Sequence, residues 1–129
     1  MKSGKPVILV VEDEVMVRMM AVFVGEDSGF EVLSAATADE AIKILESRSD
    51  IRLVFTDVNM PGSMNGLKLA HAVRRRWPPV ELLVTSAFSN IMAEELPERG
   101  RYLAKPYDVT ALSEAFQKMA GCRPSTIPA

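Results

Sequence analysis

Cysteine is nearly absent from this 129-residue sequence, and long apolar runs are missing altogether. The single cysteine, Cys122, excludes an intramolecular disulfide and therefore a small disulfide-stabilised scaffold. No segment reaches the roughly 18 apolar residues that a membrane span needs, and the first residues do not form a signal peptide. The net charge of −2 gives no basic footprint for a nucleic acid. These absences predict a cytoplasmic protein that has neither a membrane nor a nucleic acid as a direct partner.

Familiar cofactor motifs are also lacking. No glycine-rich phosphate loop follows an apolar run, which argues against a nucleotide or flavin site. The one histidine, His71, has no acidic or cysteine residue at metal-ligand spacing, so we interpret it as a surface residue. The eight methionines form no cofactor pattern and are expected in the core, apart from one in a loop. Arg74, Arg75 and Arg76 are expected to form the solvated last turn of a helix.

The composition is that of an ordinary globular domain, with 48% hydrophobic and 25% charged residues. A chain of this length is about the size of one compact domain. We therefore expect a single domain over residues 1–120, followed by a tail or the start of a linker at residues 121–129.

Apolar runs alternate with segments of helical periodicity along the whole chain. Strands are predicted at 7–11, 30–35, 53–56, 80–85 and 102–104, and helices at 15–25, 38–48, 67–76, 88–96 and 108–120. Thr37 and Glu40 form a capping box at the start of the second helix. This alternation predicts an α/β fold in which a doubly wound, five-stranded parallel sheet carries helices on both faces, as in flavodoxin-like proteins.

The apolar spacing also predicts which side of each helix faces the sheet. The predicted inward residues are Val15, Met19, Val22 and Phe23 in the first helix, Ala41, Ile42 and Leu45 in the second, and Val109, Leu112, Phe116 and Met119 in the last.

Polar residues follow four of the five predicted strands. Ligands of such sheets gather at the carboxyl ends of the strands, so these side chains should meet there. They are Glu12 and Asp13, Asp57, Thr85 and Ser86, and Lys105. Strand alternation leaves Thr85 and Ser86 as alternatives for the hydroxyl, and the small Ala87 favours Ser86.

This set suits phosphoryl chemistry. Crowded carboxylates repel one another, and Mg²⁺ prefers one or two carboxylates together with a phosphate oxygen. A carboxylate can itself attack a phosphoryl group, while a lysine and a hydroxyl stabilise the charge on the transferred oxygens.

Four segments, residues 10–14, 55–62, 85–87 and 105–107, resemble the motifs of the receiver domain of bacterial two-component response regulators, and the similarity covers roughly residues 6–120. The resemblance implies that Asp57 accepts a phosphoryl group from the phosphohistidine of a histidine kinase or a histidine phosphotransfer protein. Asp13, Asp57 and the carbonyl of Asn59 would hold Mg²⁺, or Mn²⁺ in its place, with Glu12 assisting through water.

The same resemblance assigns further roles. Ser86 and Lys105 would contact the phosphoryl group, Tyr102 would be the switch aromatic, and the bond before Pro106 would be cis. The chain would then be a phosphoacceptor and not an enzyme with a separate substrate. It would promote its own phosphorylation and, because Phe88 shields the acyl phosphate from water, its own slow dephosphorylation.

The sequence departs from the family pattern in three places. Glu12 replaces the usual aspartate, the loop between Asp57 and Gly66 is one residue longer, and the interval from Ser86 to Lys105 is about three residues shorter. A short or irregular fourth helix is therefore expected, and the output partner and a homodimer stay open. The alternatives are a receiver-like interaction module that takes no phosphate and an aspartyl phosphatase, which Asn59 disfavours because an acidic residue is expected there.

Overall fold

The computed structural model describes residues 4–60, 62, 64–87 and 93–121. In chain order the elements are β1 (Val7–Val11), α1 (Val15–Asp27), β2 (Glu31–Ala35), α2 (Ala38–Ser47), β3 (Ile51–Asp57), α3 (Gly66–Arg76), β4 (Glu81–Ser86), a 3-10 turn (Ala93–Glu95), β5 (Gly100–Ala104) and α4 (Val109–Ala120). None of the helices in these ranges is long and apolar enough to cross a membrane.

The strands form one parallel sheet in the order β2-β1-β3-β4-β5. The chain starts in the middle of the sheet and its order reverses beside β1, which is the doubly wound arrangement predicted above. The predicted fold class is thus confirmed, with β3 and β5 each two residues longer at their start than expected.

Alternate residues of the strands face two separate apolar layers, because successive side chains of a strand point to opposite faces. Leu9 and Val54 pack with α2 and α3 on one face. Ile8 and Phe55 pack with α1 and α4 on the other, where the Phe55 and Phe116 rings meet edge to face at 5.5 Å. Nearly every residue of β1 and β3 is buried, as expected for central strands.

Helix α1 is turned differently from the prediction. Ala21, Val24 and Gly25 form its buried face, whereas Val15, Met19 and Phe23 are exposed. Small residues let the helix lie close to the sheet: a Cβ on Gly25 would come within 2.6 Å of Val32. The larger residues therefore form an exposed surface, the α1 apolar face, made of Val15, Met16, Met19, Met20 and Phe23. The expectation that all but one methionine lie in the core is wrong for Met16, Met19 and Met20.

The other helices follow the prediction more closely. Thr37 accepts a hydrogen bond from the backbone of Glu40 at 3.1 Å, which confirms the predicted cap of α2. Ala41 and Leu45 are buried and Ile42 packs against them. In α4, Leu112 and Phe116 are buried and Met119 packs beside them. The prediction that Val109 faces inward is wrong, because the first turn of α4 leaves this residue about half exposed.

Two side chains of α3 bind the segment between β4 and β5. His71 Nε2 lies 2.7 Å from the carbonyl of Glu95, and Arg74 donates to the carbonyl of Glu98 at 2.8 Å. Arg74 also donates to the carbonyls of Pro78 and Val80, so the prediction of a solvated Arg74 is wrong. His71 is exposed, as predicted. Of the predicted helix at 88–96, residues 88–92, including Phe88, lie outside the described residues, and the remainder contains the 3-10 turn.

Candidate functional site

The register of the sheet brings the predicted polar residues together. Val11 is paired with Thr56, Asp57 with Thr85, and Ser86 with Ala104. The residue that follows each strand therefore lies beside its neighbours at one edge. A pocket opens there, and its lining consists of Glu12, Asp13, Glu14, Val17, Met20, Asp57, Asn59, Ala87, Lys105, Pro106 and Tyr107.

Asp57 is the buried carboxylate at the centre of the pocket. At the end of β3 its side chain is only 8% exposed. Its Oδ2 lies 3.7 Å from Lys105 Nζ, while Oδ1 is buried without a hydrogen-bond partner among the described residues. A buried, unsatisfied carboxylate oxygen is costly, so this oxygen is free to bind a ligand that supplies positive charge or a donor.

Three carboxylates share the site. One oxygen each of Glu12, Asp13 and Asp57 lie within 4.8 Å of one another, with Asp13 exposed and the other two buried. Among the described residues, only Lys105 contributes a positive charge directly, through Glu12 Oε1 at 3.2 Å and Asp57 at the longer distance. The oxygen donors and the excess negative charge suit a hard divalent cation.

The crowding perturbs both buried acids. Burial raises the pKa of Asp57 above its ordinary value, and the Asp13 charge adds to the rise, whereas Lys105 and the backbone N–H of Asn59 oppose it. Burial also raises the pKa of Glu12, with a smaller contribution from Asp57, against the hydrogen bond from Glu14 and the charge of Lys105. Displaced carboxyl pKa values in a pocket are typical of functional sites.

Glu12 is fixed from several sides. Its carboxylate accepts from the backbone N–H of Glu14 at 3.2 Å, and its own N–H donates to the carbonyl of Ala35 at 3.0 Å. Arg18 donates to the Glu12 carbonyl at 2.8 Å. The longer side chain of glutamate therefore reaches Lys105 from a well-held backbone.

The structure distinguishes the two hydroxyl residues at the end of β4. Asn59 Nδ2 donates to Ser86 Oγ at 3.2 Å, whereas Thr85 Oγ1 is buried without a partner among the described residues. Ser86 is thus the hydroxyl that meets a pocket residue. Its carbonyl accepts from Tyr102 Oη at 3.1 Å and from the Lys105 backbone N–H at 3.2 Å. The Lys105–Pro106 bond is cis.

Two residues near the site were missed from the sequence. A Cβ on Gly66 would lie 1.8 Å from the carbonyl oxygen of Asp57, so only glycine fits where α3 begins. Tyr107 lines the pocket, but its apolar ring at a strand end gave no reason to single it out. The dipeptide Asn65-Gly66, in which Asn65 caps the helix and Gly66 begins it, was the signal available for Gly66.

The comparisons with known proteins agree with this geometry. The family model described as response regulator receiver domain matches residues 8–117. The chain is 31% identical over 121 residues to "Sensor kinase CckA" of Brucella abortus, covering 91% of this chain and 13% of that protein. It is 27% identical to "Sporulation initiation phosphotransferase F" of Bacillus subtilis, covering 86% and 90%.

A crystal structure of a response regulator receiver protein from Sinorhizobium medicae superposes with a TM-score of 0.84 at 23% identity, covering 92% of this chain and 96% of that one. The chain spans less than half the length of the first curated relatives that it matches. A family match over most of the chain, together with the sheet order, shows that this protein belongs to the response regulator receiver domain family.

Proposed function

We propose that Asp57 accepts a phosphoryl group from a phosphohistidine in a reaction that depends on Mg²⁺ or Mn²⁺. The observation that carries the proposal is the buried Asp57 carboxylate, which has one oxygen near Lys105 and the other without a partner among the described residues. Membership of the receiver family supports the same role.

In the proposed step a carboxylate oxygen of Asp57 attacks phosphorus. An O–P bond forms as the N–P bond to the donor imidazole breaks, and the imidazole leaves with the electron pair of that bond. Such transfer depends mainly on positioning and on charge neutralisation. Lys105, already between Glu12 and Asp57, is close enough to neutralise an added phosphoryl oxygen, and the Ser86 hydroxyl can donate to another.

The residues present fit the divalent cation. Asp13, Asp57 and the Asn59 carbonyl would hold it, and Glu12 would act through a metal-bound water. When bound, the cation would supply positive charge to the phosphoryl oxygens. The three neighbouring carboxylate oxygens support this assignment, since they lie within 4.8 Å of one another with one lysine to balance them.

The conformational switch is proposed to act through Ser86 and Tyr102. Tyr102 donates to the Ser86 carbonyl, so a movement of Ser86 towards a phosphoryl group changes the position of the bond that holds the ring. The output protein, or a second copy of the chain, would recognise that change. The site is proposed to work in the cytoplasm, and its phosphoryl group to be lost slowly by self-catalysed hydrolysis.

The proposed donor is a histidine kinase or a histidine phosphotransfer protein. The α1 apolar face supports a protein donor because it continues into the pocket through Met20. Two relatives carry the names of a sensor kinase and a phosphotransferase.

The test of the phosphoacceptor is direct. The protein is incubated with acetyl phosphate and Mg²⁺, and intact mass is measured over time. We expect a gain of one phosphoryl group that disappears in Asp57→Asn and when a chelator replaces Mg²⁺. No gain, or an equal gain in Asp57→Asn, would contradict the proposal and favour an interaction module that takes no phosphate.

The test of the protein donor uses the α1 apolar face. In the double variant Met16→Ser and Phe23→Ser, we expect phosphorylation by acetyl phosphate to be retained and transfer from a phosphorylated histidine donor to fall by about tenfold, as loss of one or two well-packed contacts would predict. Equal transfer in the variant and the unmodified protein would show that the donor binds elsewhere.

A further inference from the structure

The hydroxyl of Tyr107 is a buried polar group whose role the chemistry above leaves unassigned. Its Oη is fully buried and has no hydrogen-bond partner among the described residues. The ring already packs edge to face against Phe55, with centroids 5.9 Å apart, and a phenylalanine would make the same contact. Leaving a buried hydroxyl unpaired destabilises a fold, so this hydroxyl has no benefit in the state described.

Tyr107 lies within the pocket that holds the acidic residues. It follows Lys105-Pro106 directly and lines the same cavity as Glu12 and Asp57. Burial and the negative charges of Glu12 and Asp57, in that order, raise the pKa of Tyr107 to about 12. The hydroxyl is therefore protonated at neutral pH and can donate a hydrogen bond.

Lys105 pairs with both Glu12 and Asp57. Lys105 Nζ lies 3.2 Å from Glu12 Oε1 and 3.7 Å from Asp57 Oδ2. The other Glu12 oxygen accepts from the Glu14 backbone. A phosphoryl group on Asp57 would draw the ammonium towards its own oxygens, so Glu12 Oε1, still buried, would lose the lysine that is its donor among the described residues. An unpaired buried carboxylate oxygen is strongly unfavourable.

We propose that Tyr107 is a positioning residue that donates its hydroxyl hydrogen to Glu12 when Lys105 moves from Glu12 to a phosphoryl group on Asp57. The exchange keeps Glu12 paired and held in both states. This inference rests on the proposed function for its trigger, but the exchange of donors depends only on the displacement of Lys105. It can therefore be tested without phosphate.

The first test is a double-mutant cycle with Tyr107→Phe and Lys105→Met, measured by thermal unfolding in chelator. In the unmodified background, Tyr107→Phe removes an unpaired buried hydroxyl and should leave Tm unchanged or raise it. In the Lys105→Met background, Glu12 depends on Tyr107, and the same change should lower Tm by about 3 °C or more. An effect of the same size and sign in both backgrounds would overturn the inference.

Tyr102→Phe is the matched control, because it removes the hydroxyl of the other tyrosine, which already donates to the Ser86 carbonyl. It should lower Tm in the unmodified protein. If Lys105→Met is too unstable to melt cooperatively, Lys105→Ala replaces it, and Tyr107→Phe should again lower Tm in that background only.

The second test uses beryllofluoride with Mg²⁺ as a probe for the phosphorylated state, titrated by calorimetry. Tyr107→Phe should bind it about fivefold to tenfold more weakly, as loss of one hydrogen bond to a charged group predicts. Equal affinity would overturn the inference. If the unmodified protein instead shows no binding that depends on Asp57, the proposed function fails, and the cycle in chelator still decides the donor exchange separately.

Discussion

The two ends of the sheet differ in how their charged side chains are paired. At the amino end, Arg48 lies 2.6 Å from Asp50 and 3.2 Å from Glu31, so both of these carboxylates have an opposite charge as a partner. At the carboxyl end, three carboxylates lie close together, and Lys105 is the one cation among the described residues that pairs with them, through Glu12 and Asp57. Both acids at the amino end are held in ion pairs, whereas at the carboxyl end one oxygen of the buried Asp57 has no hydrogen-bond partner among the described residues and the carboxylates outnumber the lysine, an excess of negative charge that a bound cation can balance. This difference in charge indicates that the functional site lies at the carboxyl end of the sheet, and it is stronger evidence than any single residue.

The largest effect at the carboxyl end is expected from Gly66→Ala. Its Cβ would overlap the Asp57 carbonyl oxygen, which must move together with the start of α3. We expect phosphorylation by acetyl phosphate to be lost and unfolding to become easier by at least about 1–3 kcal/mol, the usual cost of overpacking. Mass spectrometry and urea unfolding measure the two effects.

Gly29→Ala is the matched control at the amino end. Its φ of 99° strains any side chain, yet nothing lies within 4 Å of the added Cβ. It should destabilise the fold by about 1 kcal/mol and leave phosphorylation intact. Loss of phosphorylation in both variants would mean that general instability, and not contact with Asp57, explains the result for Gly66.

Divalent cations should stabilise the carboxyl end selectively. Ligand that binds only the folded state at a hundred times its Kd adds about 2.7 kcal/mol. We expect Mg²⁺ to raise Tm in the unmodified protein and to lose most of that effect in Asp13→Asn, which removes one carboxylate of the site. A rise of equal size in both proteins would show that the cation binds elsewhere.

The contribution of Glu12 and Asp57 to stability without metal should fall as pH rises from acid. The folded state raises the carboxyl pKa values of Glu12 and Asp57, so between about 4 and those raised values the folded protein binds more protons than the unfolded chain. The free energy of unfolding contributed by these groups is therefore highest below that interval and lost above it. The difference in Tm between Asp57→Asn and the unmodified protein should increase with pH and then level off. Thermal unfolding in the presence of a chelator measures this difference.

The smallest effect is expected at the amino end. Arg48→Gln removes both ion pairs of a partly exposed side chain, which contribute little in water. Its phosphorylation and its response to Mg²⁺ should match those of the unmodified protein. A changed response to Mg²⁺ would break the contrast between the two ends of the sheet.

Most of the residues at the carboxyl end of the sheet could be predicted, because the point where an apolar run stops indicates where a strand ends. The apolar runs indicated where β1, β3 and β4 stop, and parallel pairing then places the following residues side by side. Asp57 and Lys105 were found in this way, although they are 48 positions apart in the numbering. The choice between Thr85 and Ser86 needed the actual orientation of each side chain, which one residue of register reverses.

Helix faces and close contacts were less predictable. In α1 the large apolar residues suggested the buried side, but the small face of Ala21 and Gly25 approaches the sheet more closely. Arg74 fits the pattern of a solvated helix end, and only the fold shows three carbonyls within its reach. The unpaired hydroxyl of Tyr107 is likewise a property of three-dimensional packing.

The bonds from α3 to the segment before β5 have a consequence for how this protein can diverge. His71 and Arg74 both contact backbone carbonyls, at Glu95 and Glu98. Every amino acid carries a carbonyl, so the side chains at positions 95 and 98 can change without loss of these anchors. These two exposed positions can therefore change in sequence and contact new partners while the bonds from α3 to the backbone are kept.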